Sequence, residues 1–322
     1  MTPRRTVMQA RTSAVLRALV MTVLLSAAGL TVPCAAAPSA AWEPAGWGGG
    51  GLFWSAAFDP ARPDVIYMGG DVAGVYKTED DGKHWRMINN GLSSYAVYSL
   101  AVAPGVPNLV YAGTTGGVCR SADGGEHWQA LPETGKLGIT AQREKSVRAL
   151  AVDPTDGNVV YAGTPTGKIF KTTDGGQTWR QIYECRPAGS VAAVAISPRR
   201  PSTILGATTN GVVLSRDGGA TWRKASVPGS ADNVAASAAD PNILYAAAGG
   251  VYKSADGGQT WNACGTGIDP KARVVEIAAD PKDAQAVYCI ATAGWSGHFY
   301  ASEDGGQTWT EANRLRADID AD

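Results

Sequence analysis

The chain has 322 residues, 40 of them glycine, with 18% charged residues and a formal net charge of −1. This length suits one large domain or two small ones, and the high Gly and Trp content with few helix-favouring runs points to many short strands and turns. The balance of charge, without basic clusters, argues against a nucleic-acid binder.

The first forty residues stand apart. Arg4, Arg5, Arg11 and Arg17 precede an apolar run from Ala18 to Val32, followed by small residues from Ala35 to Ala41. That order predicts a secretory signal peptide over residues 1–40. The run is too short and too rich in Ala and Gly for a membrane span, although a retained anchor is the alternative. Arg4-Arg5 suggests twin-arginine export and Cys34 a lipoprotein, but the spacing of the first and Pro33 before the second fit poorly. Removing the segment leaves a charge of −5 and a protein secreted or periplasmic, with no membrane attachment. Cys119, Cys185, Cys264 and Cys289 remain; export permits disulfides, so paired and free thiols both stay open. No Cys/His spacing marks a metal site, and no cofactor is expected.

From residue 41 onward one octapeptide recurs six times. It reads TEDDGKHW from Thr78, SADGGEHW from Ser121, TTDGGQTW from Thr172, SRDGGATW from Ser215, SADGGQTW from Ser254 and SEDGGQTW from Ser302. The six tryptophans, Trp85, Trp128, Trp179, Trp222, Trp261 and Trp309, lie 43, 51, 43, 39 and 48 residues apart. Each octapeptide closes a longer unit of short runs rich in Val, Ile, Tyr and Thr, bounded by Gly, Asp or Pro, which is strand chemistry. Four antiparallel strands in about 43 residues make one propeller blade. The prediction is an all-β protein, a β-propeller over 41–316 with a tail at 317–322. It has six blades, or six and an incomplete seventh, because Trp42 lies one repeat before Trp85 and resembles a surplus fourth strand.

Asp80, Asp123, Asp174, Asp217, Asp256 and Asp304 fall in the turn between strands three and four, where a carboxylate can accept backbone N–H groups. The tryptophan after each turn is expected to wedge between neighbouring sheets. These residues resemble the Asp-box (BNR) repeats of sialidases, xyloglucan-type endoglucanases, sortilin-like receptors and photosystem II assembly propellers. The resemblance implies the fold, with the boxes structural.

Strand order puts the octapeptides on one face, together with the turns at Asp59-Pro60, Asp153-Pro154 and Asp280-Pro281. Irregular segments fall on the other face, where function usually sits. They include Asn89 to Tyr98 with Tyr95 and Tyr98, the connector from Leu131 to Arg148 with Glu144, the stretch around Cys185, and a last loop taken as Gly294 to His298, with Trp295 and His298.

Trp47, the run Gly48–Gly51 and then Gly69-Gly70-Asp71-Val72-Ala73-Gly74 are similar in order to the start of the xyloglucan-type two-propeller endoglucanases. That resemblance implies a catalytic role for Asp71, although Gly70 and Ala73 depart from the pattern and a second propeller is missing. Glycoside hydrolysis ordinarily uses two carboxylates. Glu276 is a candidate partner because it opens its repeat where the others carry Ser55, Ser99, Ala149, Ala193 and Ala236; Glu144 is another. Trp47, Trp54, Tyr95, Tyr98, Trp295 and His298 are candidate ligand contacts. The implied function is binding or hydrolysis of a β-glucan or xyloglucan-type polysaccharide. The alternative is a non-catalytic propeller that binds a protein.

Overall fold

The computed structural model describes residues 52–131, 147–294 and 296–315. The expected signal peptide over 1–40, Trp42, Trp47, Glu144, Trp295 and the tail at 317–322 lie outside the described residues. Twenty-four strands, from β1 (Phe53–Phe58) to β24 (Thr310–Leu315), form six four-stranded sheets, each of four successive strands paired antiparallel. The molecule is an all-β six-bladed propeller, and the sixth blade takes its fourth strand, β24, from its own repeat.

The octapeptides earn their recurrence through a repeated set of hydrogen bonds. In all six, the leading Ser or Thr is buried and its hydroxyl donates to the following aspartate over 2.7–2.8 Å. The same hydroxyl accepts the N–H of the glycine four residues on, as Ser215 does from Gly219 at 2.8 Å. The aspartate then accepts the N–H of the residue four positions ahead, 2.8 Å from Thr221 to Asp217. That second glycine has positive φ, and at Gly125 a Cβ would overlap Ile88 of the preceding blade.

The tryptophan folds back over its turn, its Nε1 donating to that glycine's carbonyl in Trp179, Trp222 and Trp261 at 3.2 Å. In Trp128, Trp179, Trp222, Trp261 and Trp309 the ring enters the seam with the preceding blade. Trp261, for example, packs with Leu205, Ala207 and Leu214 of blade four and Val234 and Leu244 of blade five. Such seams are the core; each is one buried cluster shared by two successive blades. Polar clamps cross several seams. Tyr161 and Lys171 donate to the carbonyl of Gly218 at 3.3 and 3.0 Å, and Tyr245 and Lys253 to that of Gly305 at 3.0 and 2.7 Å. All four described cysteines are free thiols, and Cys119, Cys185 and Cys289 are buried.

Candidate functional site

The innermost strands are β1, β5 (Val97–Val102), β9 (Ala149–Val152), β13 (Val191–Ser197), β17 (Asn233–Ala236) and β21 (Arg273–Ala279). Each begins with an extra residue set against its partner strand. The register slips at Trp54, Tyr98, Ala192 and Val275. Arg148 N–H donates to Gly163 O and Asp232 N–H to Ala247 O, although the next residue already pairs there. A bulge re-aims side chains. All six of these residues line one central cavity of about 360 Å³, reached by strands from every blade.

The mouth is chemically uneven. Trp54 and Tyr98, from adjacent blades, stack with ring centroids 4.1 Å apart and planes 8° from parallel. Arg148 continues the stack, its guanidinium carbon 5.5 Å from the Tyr98 centroid. Across the channel Asp232 accepts Arg273 at 2.7 and 2.9 Å.

One residue further along each strand is a second tier: Ser55, Ser99, Ala149, Ala193, Asn233 and Glu276, equivalent through their pairing with Gly69, Gly113, Gly163, Ala207, Ala247 and Ile290. The fifth-repeat equivalent of Glu276 is therefore Asn233 and not Ala236. The bulge resets the count, and repeat five is short. Gly113 is forced to be small because a Cβ there would meet both Ser99 Oγ and, at 2.5 Å, Val147 O.

Glu276 lines the cavity with no hydrogen bond or ion pair to a described residue. It touches channel solvent but is surrounded by protein, and that desolvation pushes its pKa up to about 7. Ser55 Oγ, on the neighbouring blade, is buried and also unpartnered, whereas Ser99 Oγ donates to Val147 O at 3.1 Å.

Asp71 sits in the turn between β2 (Ile66–Gly70) and β3 (Val75–Thr78), outside the cavity lining. Its N–H donates to Leu52 O at 2.9 Å, and its Oδ1 is buried without a partner. Asn89 braces this turn, accepting Val75 N–H at 2.7 Å and donating to Ala73 O at 2.8 Å. Tyr95 lies beside it, exposed, its carbonyl accepting Gly74 N–H.

His298 is not in a loop. Strand β23 (Ser296–Ser302) begins before it, and the ring is buried in the blade with Nδ1 2.9 Å from Glu311. Thus Trp54, Tyr98 and Glu276 come together in the channel, while Asp71 with Tyr95, and His298, occupy separate places. Arg148, Asp232, Asn233 and Arg273 were missed from the sequence. Aligning the starts of the six inner strands, WS, YS, RA, AA, DN and VE, would have found the first three.

Comparisons with known proteins agree with this architecture. A profile of the DUF6242 beta propeller domain matches residues 193–321. The search of curated proteins returned no match. Among solved structures, an ancestral GH74 enzyme superposes with a TM-score of 0.69 at 21% identity, over 85% of this chain and 40% of that one. The GH74 xyloglucanase from Xanthomonas campestris gives 0.67 at 20% identity, over 86% and 47%. YCF48 from Cyanidioschyzon merolae gives 0.62 at 18% identity, over 84% and 88%. The chain thus spans less than half the length of those GH74 enzymes and most of the length of YCF48. At these identities the likeness is one of fold.

Proposed function

We propose that this chain is an exported carbohydrate-binding propeller whose ligand face is the channel mouth, with a β-linked glucan as ligand. The observation that carries the reading is the parallel Trp54–Tyr98 pair, prolonged by Arg148, at the opening of a cavity common to all six blades. In this stack Tyr98 is covered by Trp54 and Arg148, so the face offered to the apolar side of a pyranose ring is the outer one of Trp54. The order of Trp47, the glycine run and Asp71, similar to that of xyloglucan-type enzymes, supports the same substrate class. Binding is favoured over hydrolysis because, of the two carboxyls that line the cavity, Asp232 is tied up by Arg273 and only Glu276 is free, Asp71 lying outside the lining, whereas hydrolysis needs two carboxyls flanking one bond.

The test is a panel of cello- and xyloglucan-oligosaccharides, assayed for binding and for release of reducing ends. Binding without release is expected, with at least a tenfold loss of affinity in Trp54→Ala, since removing one stacked ring from such a wall is worth roughly 1.5 kcal/mol. Reducing-end release that disappears in Asp71→Asn would restore the hydrolytic reading.

A second reading, a protein-binding propeller, draws on the near full-length match to YCF48 and on a further YCF48 structure with a D1 peptide bound, which superposes with a TM-score of 0.60 at 18% identity. Affinity capture of one specific protein, with every glycan silent, would favour it.

A further inference from the structure

Five of the six seams are built alike. The inner strand of one blade packs on that of the next, and one buried cluster spans the pair. Where blade six meets blade one, β21 and β1 do not pack in this way, and among the described residues no backbone hydrogen bond joins the two blades. Trp85, whose place in its repeat would make it the wedge of this seam, is only half-buried and belongs to none of the buried clusters.

Both walls of the seam are nevertheless apolar and covered. Successive residues of a strand face opposite sides of the sheet. In blade one, Tyr67 and Val75 join the cluster shared with blade two, so Ile66 and Met68 face the other way. In blade six, Val287 and Cys289 join the cluster shared with blade five, so Tyr288 and Ile290 face blade one, with Phe299 beside them. These five side chains are at most 4% exposed. Yet the three from blade six form a cluster of their own that contains neither Ile66 nor Met68. Two walls that are buried, but not against each other, call for an apolar element between them.

Connectivity and chemistry point to one segment. Residues 41–51 read AWEPAGWGGGG and lead into β1, which borders the seam. They carry two tryptophans and a single charge. Fully extended, five residues span about 17 Å and ten about 34 Å, so both indoles can reach the seam from Leu52. Residues 316–322, which follow β24, read RADIDAD and are too acidic for an apolar slot. Residues 132–146 run between blades two and three, away from this seam. We propose that residues 41–51 fill the seam between blades six and one, with the indoles of Trp42 and Trp47 as anchors between Ile66 and Met68 on one wall and Tyr288, Ile290 and Phe299 on the other. The segment then does for this seam what the octapeptide tryptophan does for the other five. The glycines at 48–51 give the chain the freedom to turn from the seam into β1.

The experiment is difference fluorescence on the full chain and its Trp42→Phe and Trp47→Phe variants, with iodide as quencher. At least one of the two indoles is expected to emit at short wavelength and to be shielded from iodide. Met68→Ala and Ile290→Ala, one from each wall, should each reduce that shielding, so the comparison survives if one of them fails to fold. Replacing both tryptophans by alanine should lower the thermal midpoint by about 5 °C or more. Full quenching of both indoles overturns the proposal, and so does shielding that neither wall variant diminishes. Light scattering across a range of concentrations tests a second copy as the occupant: a dimer in which both indoles are quenched also overturns it.

Discussion

A carboxyl set in a protein channel without a donor holds its proton more tightly than one in water. For Glu276, lifted by desolvation to about 7, this has a consequence for stability. Between about pH 4.5 and 7 the folded chain binds a proton that the unfolded chain has released, so stability falls as pH rises through that window, by about 3 kcal/mol. The octapeptide aspartates act in the other direction. Donors four residues ahead, the backbone N–H of His127 for Asp123 and the hydroxyls of Thr178 and Thr221 for Asp174 and Asp217, lower these carboxyls to about 2. Their contribution is complete above about pH 4 and is lost as pH falls through 2. The midpoint of thermal unfolding should therefore peak near pH 4.5 to 5. Glu276→Gln should abolish the decline between pH 5 and 7 and leave the acid limb unchanged; a decline that persists in the variant refutes the assignment.

At the scale of single elements, the octapeptide turn depends on its buried hydroxyl as much as on its aspartate. Ser215 serves Asp217 and Gly219 at once. Ser215→Ala leaves a buried N–H without an acceptor and should destabilise by about 1–2 kcal/mol in urea unfolding. Gly125→Ala should be worse, since it adds backbone strain at positive φ to a clash with Ile88. This motif was readable from the chain because its partners lie within four residues of each other. The inner strands were less readable. Ala236 was set beside Glu276 as the opening of the fifth repeat, but strand pairing puts Asn233 at that register, and a bulge, which no residue type marks, precedes Glu276. His298 was taken for a loop residue because Gly294 and Gly297 bracket the segment, yet pairing with β22 (Val287–Ala293) extends the strand back to Ser296.

Across the whole molecule, stability resides in the seams. Trp261→Ala opens a cavity between blades four and five and should cost about 3–5 kcal/mol, read as a lower denaturation midpoint with the change spread over the cooperative transition. The seams are not equivalent. Ala301 occupies the strand position of Lys253, and Asp81 that of Gly305, so the lysine-to-glycine clamp of other seams is not made where blade six meets blade one. By itself the sequence determined the blade, its four strands and its turn, because the hydrogen bonds that define a blade join residues near in the chain; that the described residues form six sheets, and not a seventh, came from the structure. Only the tertiary structure decided the channel. Trp54, Tyr98, Arg148, Asn233 and Glu276 come from five different blades, one repeat or more apart. They stand at equivalent or adjacent positions of their repeats, but only the ring geometry brings these positions around one channel.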